Sequence, residues 1–119
     1  MLAAICMLLA YGPFAYADPE QALVHLYGFE IQRITGIHEE EIEKLGCPYA
    51  ALSKDLEKTL TKIDPNESEY ERRDVRAKIE MRGKVYFVDR FGFVRQGNDH
   101  FTMDKVRFIA SITPAGPCE

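Results

Sequence analysis

Apolar residues change their spacing near residue 70. Before that point they recur every three or four positions; after it they alternate with polar ones. Asp18 can cap a first helix, Pro19 suits its first position, and Gln21 sits at the capping-box position. Leu23, Leu26, Tyr27, Ile31 and Ile34 then form one apolar stripe, closed by Gly36. A short acidic helix is predicted from His38 to Leu45, with Ile42 and Leu45 inward and Gly46 as its stop. Pro48 opens a third helix, in which Tyr49, Leu52, Leu56, Leu60 and Ile63 share a face opposite Lys54, Asp55, Lys58 and Lys62. Asp64-Pro65-Asn66 ends it, since proline cannot continue the ladder.

The period then becomes two. Val75, Ala77, Ile79 and Met81 alternate with Arg76, Lys78, Glu80 and Arg82, which predicts a half-buried strand. A helix through Glu67 to Met81 would scatter those apolar residues around its circumference. Arg82-Gly83 makes a tight turn, and Lys84 to Asp89 is a second strand rich in Val, Tyr and Phe. Asp89-Arg90-Phe91-Gly92 reads as a hairpin turn, Phe93 to Gln96 as the return strand, and His100 to Thr102 as a further short strand. Asp104 caps a last helix with Val106, Ile109, Ala110 and Phe108 inward, before a Pro- and Gly-rich tail. The fold class expected is α+β: N-terminal helices, an antiparallel meander of three to four strands, and a closing C-terminal helix. With no tryptophan in the chain, Phe87, Phe93, Phe101 and Phe108 supply buried aromatic area, while Tyr86 and Phe91 are expected at the surface.

The segment KVYFVDRFGFVRQG resembles the aromatic hairpins of bacterial cell-wall-binding and WG-type repeats. Those families stack many copies. One copy without tryptophan implies a hairpin and carries no function with it.

Residues 1–17, MLAAICMLLAYGPFAYA, hold no charge and end in the small-x-small pattern Ala15-Tyr16-Ala17. This predicts a cleavable signal peptide, although no basic residue precedes the apolar run. The run is short for a bilayer span and is interrupted by Gly12 and Pro13, so no stable membrane anchor is expected after processing. The mature chain, residues 18–119, is one small domain for the periplasm or the medium. Cys6 leaves with the leader. Cys47 and Cys118 remain as an even pair in an oxidising compartment and are expected to form a disulfide.

Charge divides the mature chain. Residues 18–71 carry 5 basic and 13 acidic side chains, a net of −8, and residues 72–107 carry 10 basic and 5 acidic, a net of +5. With Val75, Ile79 and Met81 inward, Arg76, Lys78, Arg82 and Lys84 would share the solvent face with Glu80. Arg90, Phe91 and Arg95 would stand at the hairpin tip. Arg76, Lys78, Arg90, Phe91 and Arg95 therefore make a candidate contact surface for an anionic protein or envelope component. The competing reading is that acidic helices and basic strands neutralise each other within the fold. The acidic total and the compartment speak against nucleic acid.

Catalytic signals are thin. His38 with Glu41 comes nearest to a metal pair, but HExxH is absent and no second histidine lies at helical spacing. His100 near Asp99 and Asp104 has no recognisable nucleophile elbow beside it. No cofactor motif appears and no metal site is expected. The expected function is non-catalytic binding of another macromolecule, of the immunity-protein or inhibitor type. A small envelope hydrolase or metal-dependent enzyme using His38 and Glu41 or His100, and a structural accessory of the cell envelope, are the alternatives.

Overall fold

The computed structural model describes residues 19–118. The expected leader, residues 1–17, lies outside the described residues. Eight strands form one antiparallel sheet: β1 (Gln21–Leu26), β2 (Cys47–Leu52), β3 (Leu60–Ile63), β4 (Val75–Met81), β5 (Lys84–Asp89), β6 (Phe93–Gln96), β7 (Asp99–Met103) and β8 (Thr113–Pro114). Three short helices accompany them: α1 (Ile42–Leu45), α2 (Ser53–Glu57) and α3 (Lys105–Ser111). The spatial order is β3-β7-β6-β5-β4-β1-β2-β8.

That order requires a strongly curled sheet. Strands β2 and β3 are six spacings apart, about 29 Å if the sheet were flat. The link from Leu52 to Leu60, mostly α2, reaches about 17 Å. The link from β7 through α3 to β8 also crosses six spacings, with about 20 Å of chain. The edges must therefore approach each other, with α2 and α3 filling the seam. Their buried side chains, Leu56 and Phe108, join the inward residues of six strands in the main core. These include Val24 of β1, Ala51 of β2, Ile79 of β4, Val88 of β5, Val94 of β6 and Met103 of β7.

The expected N-terminal helices are overturned. In β1, Ala22, Val24 and Leu26 point inward with period two, and β4 and β2 pair with it on either side. Leu23 and Leu26 mimic a helical stripe because apolar residues occupy both faces of the strand. The segment from Pro48 to Ile63 is strand, one helical turn and strand. Leu56 is fully buried there, as expected, but from a five-residue helix. Strand pairing across the sheet outweighs the weak helical preference of Leu, Glu and Lys. Of the acidic helix, Ile42–Leu45 remains, stopped by the Gly46 N–H donating to Ile42 O.

From Val75 to Met103 the individual strands and turns fall where expected, but they belong to one eight-stranded sheet and not to a separate meander of three to four strands, and Thr113–Pro114 adds an edge strand where a tail was expected. Arg82 and Gly83 both take positive φ in the two-residue hairpin loop between β4 and β5. Gly92 (φ 93°) supplies the left-handed position of the next turn, which a side chain would strain. Asp104 Oδ1 accepts the Arg107 N–H and caps α3. The face of α3 is corrected: Phe108 packs inward, while Val106, Ile109 and Ala110 are exposed. Tyr86 is corrected too, being buried on the inward face of β5 beside Val88. Cys47 and Cys118 form the expected disulfide, joining the start of β2 to the chain's end. Among the described residues, no helix is long and apolar enough to cross a membrane.

Candidate interaction surface

Two buried charged side chains organise one end of the sheet. Arg76 is 1 % exposed, because a bulge between Val75 and Ala77 turns it off the solvent face of β4. Its Nη1 donates to the carbonyls of Gly28 (2.7 Å) and Ile31 (2.5 Å), and its Nε to Asp74 Oδ1 (3.1 Å). The guanidinium also lies 5.6 Å from the Tyr27 ring centroid. This one residue ties the irregular segment after β1 to the sheet. Asp89 does the same for the turn between β5 and β6. It is fully buried; Oδ1 accepts the N–H groups of Phe91 and Phe93, and Oδ2 accepts that of Glu71. Burial pushes its carboxyl above the usual Asp value, and those backbone donors oppose the rise.

The two anchors are linked. Arg90 donates its backbone N–H to Asp74 O, and its guanidinium lies 4.0 Å from the Asp74 carboxylate. The Met103 N–H donates to Gly92 O, which brings the start of α3 beside the same turn. Lys105 donates to Arg90 O (3.4 Å) and its ammonium lies over the Phe29 ring, which in turn meets Phe108 edge-on. Phe91 stands exposed on this turn, and Ile31 and Ile34 of the segment after β1 and Val106 and Ile109 of α3 are further exposed apolar side chains. Phe91 is 66 % exposed, with the Arg90 guanidinium 5.7 Å from its ring centroid. An exposed aromatic on a turn fixed from beneath, beside cations, has the character of an interface anchor.

Of the residues picked from sequence, Arg90 and Phe91 stand at this surface. Arg76 lies under it and faces no solvent. Lys78 and Arg95 lie elsewhere on the sheet and are engaged. The Lys78 ammonium pairs with Glu43 (2.8 Å) and Glu80 (3.6 Å). Arg95 grips the Glu39 carboxylate with Nε (2.9 Å) and Nη2 (2.8 Å) and lies over the Phe87 ring. Tyr70 donates its hydroxyl to the same carboxylate at 2.6 Å. Burial raises the Glu39 carboxyl, but the Arg95 and Tyr70 hydrogen bonds outweigh it and hold the group below the usual Glu value. Tyr70 is pushed upward by its own burial and by Glu39. Internal neutralisation thus accounts for these three basic residues, and Lys105 emerges as a cation beside the Phe91 turn. Sequence reasoning missed the anchoring roles of Arg76 and Asp89. The Asp-x-x-Gly spacing of residues 89–92 did carry a signal, because an Asp opening a turn accepts the N–H two residues on.

The histidines lie apart from this surface. Glu41 Oε1 accepts the His38 backbone N–H, a local capping contact. His100 Nδ1 lies 2.7 Å from Ser68 Oγ, which also accepts the Tyr70 N–H. Among the described residues, no group of three or more His, Cys, Asp or Glu side chains is placed to hold a metal ion. No protein-family model, no curated protein and no solved structure matches the chain.

Proposed function

We propose that the chain is an exported protein, periplasmic or secreted, that binds another macromolecule without catalysing a reaction on it, as immunity proteins and inhibitors do. The observation that carries this reading is Phe91: a large aromatic ring, mostly exposed, on a turn whose backbone is locked by the buried Asp89 carboxylate. Exposing such a ring costs solubility, and rigid presentation lowers the entropy lost on docking. Arg90 and Lys105 beside the ring suit the turn to a partner with carboxylates around an apolar centre. The Cys47–Cys118 disulfide accords with an oxidising compartment.

The test is kinetic. With a partner captured from envelope extract, Phe91→Ala raises the dissociation rate with little salt dependence, because a ring works by burial. Arg90→Glu with Lys105→Glu slows association, and raised salt mimics that change in the parent. Parent-like kinetics in both variants would refute the reading.

A further inference from the structure

A second feature lies away from the Phe91 surface. On the outer face of the sheet, register places Ala50, Leu23, Glu80 and Val85 in one row across β2, β1, β4 and β5. Together with Met81 and the Arg82-Gly83 turn, this row encloses a cleft of about 350 Å³. Its walls are mainly aliphatic. The small Ala50 side chain leaves the space open, and Val85 stands partly exposed at its edge. The volume falls at the lower end of ligand clefts, about 300–1,000 Å³, so it suits one chain and not a two-chain lipid.

Charge at the mouth sets the ligand's polarity. Arg82 and Lys84 flank the turn, and a Cβ built on Gly83 meets nothing within 4 Å, so the approach is open. Arg82 is paired with Glu57 at 2.8 Å, and Lys84 makes no ion pair among the described residues. Glu80, the acidic residue in the lining, is drawn to Lys78 at 3.6 Å. The exposed ammonium at the rim is therefore the charge left for a ligand.

We infer that this cleft binds a single-chain anionic amphiphile, its alkyl chain against Leu23, Ala50 and Val85 and its headgroup at Lys84. This site shares no residue with the Phe91 surface, so the two proposals stand or fall separately.

The experiment is an NMR titration of the mature protein with decanoate below its micelle concentration, with decyltrimethylammonium as the cationic counterpart. Saturable shifts centred on the amides of Leu23, Ala50, Met81 and Val85 are expected with decanoate. Lys84→Glu, an exposed change that leaves the fold intact, should weaken decanoate by about fivefold or more and improve binding of the cationic chain. Ala50→Phe fills the cleft and should abolish the shifts, its folding being read from the same spectra. Absent or scattered decanoate shifts in the parent would overturn the inference. So would equal affinity for the two headgroups, or displacement of decanoate by a neutral apolar tetrapeptide with no dependence on Lys84, which would assign the cleft to a partner's side chains.

Discussion

Arg76→Ala tests the organisation of the interaction surface at its root. The change removes one side chain that is 1 % exposed and makes three hydrogen bonds, two to carbonyls and one to a carboxylate. It leaves the Asp74 carboxylate short of its nearest cation and the Gly28 and Ile31 carbonyls without these donors. It also opens a void beneath Tyr27. Hydrogen bonds to charged groups contribute about 1.5–3 kcal/mol each, but these share one guanidinium and do not add. Breaking a buried ion pair by removing one partner costs about 3–5 kcal/mol, and that range is expected here. For a domain of this size, such a loss lowers Tm by roughly 15–30 °C. Thermal denaturation followed by circular dichroism measures it. Arg76→Lys should recover part of the loss, since one ammonium cannot reach all three acceptors. Hydrogen exchange should rise first in residues 28–36, the segment that Arg76 holds. A melting temperature within a few degrees of the parent would refute the assignment of Arg76 as the anchor.

Three further outcomes are expected. Leu56→Ala should cost about 2–5 kcal/mol and Lys58→Ala less than about 0.5, read from chemical denaturation; similar values would misplace the α2 face. Replacing Cys47 and Cys118 by serine should cost about 2–4 kcal/mol, because the bridge closes a long loop in the unfolded chain; an unchanged denaturation midpoint would deny it that role. Glu39 titrates below its ordinary value of about 4.3 in the folded protein, so its contribution is present above that value and is lost as pH falls through the folded one. Asp89, whose carboxyl is raised, acts in the opposite sense and is common to both proteins compared. Glu39→Gln should therefore lose less stability than the parent between about pH 5 and pH 3; parallel acid profiles would contradict the Arg95–Glu39 assignment.

The C-terminal half of the fold was legible because its signals are local. Alternation in VRAKIEM, the Arg82-Gly83 turn and the Asp89-x-x-Gly turn fix strands and register within a few residues. The N-terminal half was not, because β1 and β2 are specified by partners far along the chain. Leu23 faces outward and Val24 inward, yet both are apolar, so period two is masked. Val106 and Ile109 read as core and are exposed, while Phe108 between them carries the packing of α3. At the candidate surface, the exposure of Phe91 could be read from its place in a turn. The burial of Arg76 could not, because a bulge shifts one residue out of the alternation and leaves no mark in composition.

The central claim is that the Phe91 turn is where this protein meets its partner. Site-specific photocrosslinking in the producing cell's envelope tests it most directly, with a benzophenone side chain placed at Phe91 in one protein and at the exposed Lys58 in another. The account predicts a discrete, light-dependent adduct from position 91 that is absent from position 58. No adduct at position 91, or the same adducts from both positions, would contradict it.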